Sequence, residues 1–400
     1  MKNYLDESVL DAARKRIKFT FDNFEKIYLS FSGGKDSTVM LHLAMEEAMN
    51  RNVKIGVLVV DLEAQYKLTM DHIENCVNLY KDYIDLYWLC LPLSLRNAVS
   101  VYEPTWICWD KDESNQWVRE LPDKAISDES FFPFFEKGME FEELVPLFGL
   151  WYSEGKRTAC LVGIRSDESL NRFRAIINDK KVKYKNKEYT TEVEDNLFNV
   201  YPVYDWCTKD IWIYTKKYKK PMNEVYQRMY MAKVPLGNMR ICQPYGDDQR
   251  KGLWLYHLLE PVTWNKVVNR VSGVNSGSLY CEDSGNINGV GKIKKPNGHT
   301  YKSYCELLLV SMPSNLKNHY LQRFKKFIKW WEDRDYSDGI PDEAPYELEA
   351  LKIVPSYRRL AKVLLRNDYW CKGLSFTQPK SEAYKRFVKI KKDTNERKTH

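Results

Sequence analysis

Apolar positions follow two rhythms in the first half of the chain. The short runs KIYLSF (26–31), VKIGVLVVD (53–61) and DLYWLCLP (85–92) read as buried strands. Between them apolar residues recur every three or four positions, which predicts helices over 7–24, from Ser37 to about Met49, and over 66–82. Strands and helices alternate as β-α-β units. The expected class is therefore α/β, a doubly wound, mostly parallel sheet wrapped by helices. Ligands on such sheets sit beyond the carboxyl ends of the strands, where Ser32, Asp61 and Pro92 fall.

The rhythm then breaks. Residues 94–155 carry aromatic clusters without a clear period and are expected to form an irregular excursion before a strand resumes at TACLVGIR (158–165). The segment LFNVYPVYDW (197–206) is expected to close the sheet. From Lys209 the pattern is helical, interrupted by a Gly/Asn-rich loop at 272–298 and resuming in YKSYCELLLVSM and LKNHYLQRFKKFIKWWEDR. This organisation predicts an α/β domain over 1–215 and an appended helical C-terminal region over 216–400.

Composition narrows the class. The 44% hydrophobic content suits a folded core, and no stretch reaches the roughly 20 apolar residues of a membrane span. The first residues lack the apolar centre of a secretion signal, so a cytoplasmic protein is expected. Nine cysteines without a C-x-x-C pair argue for reduced thiols rather than a disulfide framework, zinc site or iron–sulfur cluster. The net charge of +7 favours anionic partners. Lysines interleaved with aromatics at 179–189, 214–221 and 385–398 read either as a nucleic-acid surface or as solvated loops and tail.

The chemistry is concentrated where KIYLSF runs into Ser32, Gly33, Gly34, Lys35, Asp36, Ser37 and Thr38. Two glycines let backbone approach a ligand, and a strand-to-helix turn aims N–H groups and the positive helix end at it. Hydroxyls from Ser32, Ser37 and Thr38 and the Lys35 ammonium suit phosphate, while Asp36 could carry Mg²⁺. A purely structural β-turn-α link uses glycines too. The string matches neither G-x-x-x-x-G-K-[ST] nor G-x-G-x-x-G.

SGGKDS resembles the pyrophosphate loop, SGGxDS, of the ATP pyrophosphatase (PP-loop) superfamily. Three further stretches resemble its phosphoadenosine phosphosulfate (PAPS) reductase branch. In VVDLEAQYKLT, the resemblance implies that Asp61 and Glu63 line the nucleotide pocket; Asp61 could instead cap the next turn. In LVGIRSDESLNR it implies close approach at Gly163, oxyanion contacts from Arg165 and Arg172, and an orienting Glu168; a surface ion-pair helix is the other reading. In YPVYDWCTKDIWIY, Pro202, Trp206, Asp210 and Trp212 match a packing element. These matches cover roughly residues 25–215 and imply an adenine nucleotide α-hydrolase-like, HUP-type fold.

Beyond them, NMRICQPYGDDQRKGLW, KPNGHTYKSYCELLL and NDYWCKGLSF are similar to an uncharacterised immunoglobulin-binding-regulator-A-like subgroup, which implies a ParB/sulfiredoxin-like protein partner. The C-terminal E-C-G-x-H element of thiol-dependent PAPS reductases is missing. Cys371 reads as a packed thiol, and Cys242, near Arg240 and Arg250, is the alternative nucleophile. Asp247 and Asp248 could bind Mg²⁺ while Arg250 and Lys251 hold pyrophosphate, or the stretch is a polar loop capping the helix that follows. The resemblance implies ATP with Mg²⁺ as cofactors and cleavage between the α- and β-phosphates, with Lys35, Asp36 and Arg165 catalytic. PAPS is the alternative nucleotide, for a sulfonucleotide reductase. A nucleotide-sensing regulator is the alternative without turnover.

Overall fold

The strand β1 (Lys26–Ser30) lies at the centre of a seven-stranded sheet, the position its buried Ile27, Tyr28 and Leu29 require. The computed structural model describes residues 5–399 except 101, 178–180, 244, 247–251, 274–292, 294 and 378–379. From β1 the chain passes through α2 (Lys35–Arg51), β2 (Ile55–Val60), α3 (Lys67–Leu79) and β3 (Ile84–Leu89), each new strand pairing parallel outside the last. It then crosses to the other side of β1, where β7 (Thr158–Val162) and β9 (Leu197–Val200) add in parallel. With the edge strands β6 (Ala125–Ile126) and β8 (Thr190–Glu194), the order is β6-β3-β2-β1-β7-β9-β8. Only β8 runs antiparallel within this sheet. The fold is thus the expected mostly parallel, doubly wound sheet, and its order reverses between β1 and β7.

The excursion is more ordered than its composition suggests. Residues 94–155 include a two-stranded ribbon, β4 (Ser94–Arg96) with β5 (Thr105–Ile107), the edge strand β6, and the helix α4 (Phe141–Ser153). Pro146 and Gly149 disguise α4 in the sequence. Gly149 is required by packing, because a Cβ there would lie 2.5 Å from Leu197 Cδ2 and 2.7 Å from Tyr28 Oη. The edge strand β8 was also not expected; it forms from the short run TTEVE between lysine-rich and turn segments.

Two hydrophobic cores divide the chain. The first gathers the sheet, its helices, and also α7 (Val225–Met231), α8 (Leu253–Leu259) and α9 (Pro261–Arg270). The second is built from residues 301–374, including the helices Tyr301–Val310, Ser314–Glu332 and Tyr357–Leu365. The cores therefore part between Val271 and Tyr301, rather than after residue 215. The last helix, Glu382–Thr399, returns to the first core: Tyr384 is buried there, its hydroxyl donates to Glu194 at 2.5 Å, and Phe387 meets Phe134. Among the described residues no helix is long and apolar enough to cross a membrane.

Candidate active site

The glycine turn sits at the point where the strand order reverses. Gly33 takes a positive φ of 68°, and Gly34 is the N-cap of α2 without a side-chain cap. The backbone has little room to be anything else, since a Cβ on Gly33 would lie 2.8 Å from Ile73 Cγ1 and 2.9 Å from Thr69 Cγ2. Ser32 and Ser37 hydroxyls stand 3.1 Å apart across the turn, and Thr38 Oγ1 bonds His72 Nε2 at 2.9 Å. Burial pushes His72 down to about 4, with His42 a lesser cause, so the ring is neutral near pH 7.

The segment after β7 packs directly on this turn. A Cβ on Gly163 would lie 2.9 Å from Ser37 Cα and 3.0 Å from the Asp36 carbonyl. Two residues on, buried Arg165 donates from Nε to Asp36 Oδ1 at 2.6 Å and pairs with Asp167. Lys35 Nζ lies 3.1 Å from Asp36 Oδ2 and donates to the Met239 carbonyl at 3.2 Å. The four side chains Lys35, Asp36, Arg165 and Asp167 sum to zero charge. The turn therefore offers directed donors rather than excess positive charge. Arg172, half-buried, pairs with Glu168 one helical turn away, as an ion-pair reading expects, and Arg240 donates to the Glu168 carbonyl at 2.7 Å.

Asp61 and Glu63 are placed differently from the expectation of a pocket lining. Both are fully buried with protein partners. Asp61 accepts from Trp88 Nε1 at 2.9 Å and pairs with Arg119, and these contacts overcome the opposing effect of burial to hold its carboxyl below the usual range. Glu63 accepts from the Trp109 and Val118 N–H groups and from Arg270 Nε at 2.9 Å. Here the pair fastens the excursion and α9 to the end of β2, because a buried carboxylate needs every lone pair met.

Residues from the second half complete the turn in ways sequence reading missed. Tyr226 Oη accepts from the Lys35 N–H at 3.0 Å, so one of the helix donors expected to face a ligand is already engaged. Asn223 Nδ2 donates to the Gly33 carbonyl at 3.0 Å and to Thr69 Oγ1 at 2.9 Å. No local motif marks these two; only the spatial return of the chain brings them in. Trp206 packs as expected, buried with Nε1 donating to the Val9 carbonyl, while Asp210 accepts from the Cys207 N–H and so caps the following helix.

Among the described residues no three His, Cys, Asp or Glu side chains gather as a metal cage. Asp247, Asp248, Arg250 and Lys251 lie outside the described residues, as does most of the 272–298 loop. Asp36, whose two oxygens meet Arg165 and Lys35, is the carboxylate of the turn that would hold a magnesium ion arriving with phosphates, neutralising their charge. Cys371 is buried and its thiol pushed up to about 12, first by burial and then by Asp368, which fits a packed rather than nucleophilic residue.

Residues 26–237 match the phosphoadenosine phosphosulfate reductase domain, and residues 233–343 match a domain of unknown function, DUF3440. The first match spans more than half of the chain, which therefore belongs to the phosphoadenosine phosphosulfate reductase domain family. The chain is 42% identical over 383 residues to the uncharacterised protein YbdN of Escherichia coli (strain K12), covering 95% of this chain and 93% of that one. Among solved structures, it is similar to the PAPS reductase of Candida auris in its phosphate complex, at 13% identity, covering 62% of this chain and 99% of that one, with a TM-score of 0.34. The FMN adenylyltransferase of Candida glabrata is 16% identical over 55% of this chain and 58% of that one, with a TM-score of 0.32.

Proposed function

We propose that this protein binds ATP at the Ser32–Ser37 turn and cleaves it between the α- and β-phosphates. An oxygen of an acceptor, or of water, forms a bond to the α-phosphorus; the bond to the bridging oxygen breaks, and pyrophosphate leaves with the electron pair. The observation that carries this reading is the seating of Gly163 on Asp36 and Ser37, which brings Arg165 onto the turn at the switch point of the sheet. Membership of a family named for a phosphosulfate nucleotide supports an adenine nucleotide as the ligand.

In this reading, the serine hydroxyls and free helix N–H groups hold the phosphates, while Gly33 and Gly163 let the neighbouring protein pack tightly around the turn. Lys35 and Arg165 exchange part of their contact with Asp36 for phosphate oxygens, so stabilising negative charge as the bond breaks. Mg²⁺ on Asp36 would neutralise phosphate charge. Sulfonucleotide reduction is the weaker reading, because the buried Cys371 thiol is poorly placed and poorly ionised for attack.

Products formed from α-labelled and γ-labelled ATP with Mg²⁺ test the proposal. AMP and pyrophosphate from the wild type, lost in Asp36→Ala, are expected. Tight binding without cleavage would overturn turnover and favour a nucleotide sensor.

A further inference from the structure

A cavity of about 780 Å³ opens between the two cores, and no residue of the Ser32–Ser37 turn lines it. Its size falls within the roughly 300–1,000 Å³ typical of small-molecule sites, and interfaces between structural units are where such sites concentrate. Six basic side chains line it: Arg96, Lys352, Arg359, Lys362, Arg366 and Lys372. The aromatic rings of Phe141, Tyr346 and Trp370 add apolar surface.

Four acidic residues, Glu140, Glu142, Glu349 and Asp368, share the wall, so basic side chains outnumber them six to four. Glu349 is engaged by Arg358 Nε at 2.9 Å and by Ser356, and Asp368 accepts from the Lys372 and Gly373 N–H groups. Glu140 is pushed up to about 7, first by burial and then by Glu142 and Glu143, so near neutral pH it is only partly ionised. Arg359 is buried, and its guanidinium donates to the backbone carbonyls of Val354 and Gly373. Arg359 and Lys362 feel the Glu349 charge at longer range, and among the described residues neither makes a close ion pair. Burial lowers the proton affinity of Lys352 and Lys362, helped by Arg359 at the first and Arg366 at the second and opposed by Asp368 and Glu349 respectively. A buried guanidinium without a carboxylate is costly unless an anion joins it.

The cavity is also tied to the turn. Met239 accepts from Lys35 Nζ, while Cys242 and Gln243 line the cavity and Gln243 donates to the Arg96 carbonyl at 2.8 Å. Four residue steps separate the two ends, at most about 14 Å of extended chain. We propose that this cavity binds a small phosphate- or sulfate-bearing molecule, a second ligand distinct from the one held by the turn. The guanidinium and ammonium groups recognise the oxyanion, and the aromatic wall receives its organic portion.

Pyridoxal 5′-phosphate, an anionic aldehyde that forms imines with lysine amines, probes the site after borohydride reduction and peptide mapping. Lys352 and Lys362 should label faster than exposed Lys81, and inorganic pyrophosphate or AMP should protect them. Equal protection by both identifies the oxyanion as the recognised group, and stronger protection by AMP identifies a nucleotide. No protection by either beyond that at Lys81 overturns the proposal. In Lys362→Gln, the pyrophosphate concentration protecting Lys352 should rise by about fivefold, the loss of one charged contact; an unchanged value also overturns it. Protection of Lys35 by ATP is read on a separate peptide, so failure at the turn and failure at the cavity are told apart.

Discussion

Gly163 and Ser37 are in backbone contact: a Cβ added to the glycine would lie 2.9 Å from the serine Cα. The atoms it would strike belong to the first turn of α2, which cannot yield without moving the glycine turn. Gly163→Ala should therefore cost about 1–3 kcal/mol of stability, as overpacking does. Calorimetric titration should show ATP binding weakened by about tenfold or more, since roughly 1.4 kcal/mol of misplacement is enough. Wild-type affinity in this variant would refute the cradle.

The Glu63–Arg270 pair offers a test of the fastening role. Both side chains are almost completely buried, so Arg270→Met would leave a carboxylate without its cation. A loss of about 3–5 kcal/mol is expected by urea denaturation, as for other broken buried pairs. A change under about 1 kcal/mol would mean that water reaches Glu63.

Acid should weaken the fold as its buried histidines are forced to take up protons. Burial pushes His42 and His72 down to about 4, whereas the unfolded chain protonates them near 6.5. Stability from keeping them neutral is complete above pH 6.5 and is lost as pH falls toward 4, up to about 3 kcal/mol per site. The urea midpoint should fall steadily between pH 7 and pH 5, and His72→Gln should flatten the slope. A level midpoint over that range would contradict the assignment.

Thiol reactivity should separate the eight cysteines among the described residues into two groups. Cys76, Cys160, Cys305 and Cys371 are buried and pushed up to about 12, chiefly by desolvation, and Cys90 and Cys108 are buried too. Cys207 and Cys242 are half-buried. Brief iodoacetamide treatment of the native protein at pH 8 should alkylate those two ahead of the six, by peptide mass. Early modification of Cys371 would instead revive it as a nucleophile.

Much of the fold was legible because its central strands are short, wholly apolar and separated by helices with a clear period; β1, β2, β3 and β7 fall where KIYLSF, VKIGVLVVD, DLYWLCLP and TACLVGIR predict. What escaped was structure whose reason lies elsewhere in the chain. Helix α4 contains a proline and a glycine that argue against it locally, yet Tyr28 and Leu197 make the glycine necessary. At the site, SGGKDS and Gly163 announced a close approach, but Asp61 and Glu63 looked like pocket residues because their partners Arg119 and Arg270 stand far off in sequence. Tyr226 had no signal at all: a tyrosine in a helix gains its meaning only from the N–H it meets.

The return of the last helix to the first core makes the second core an insertion. Tyr384 and Phe387 close a unit whose other walls come from residues before 272, so the chain leaves that unit and comes back to finish it. A fragment ending at residue 237, where the first family match stops, would lack Met239, the partner of Lys35, as well as Tyr256, Trp264 and Arg270 from the core. Neither family boundary is a place where the molecule can be cut into self-sufficient parts.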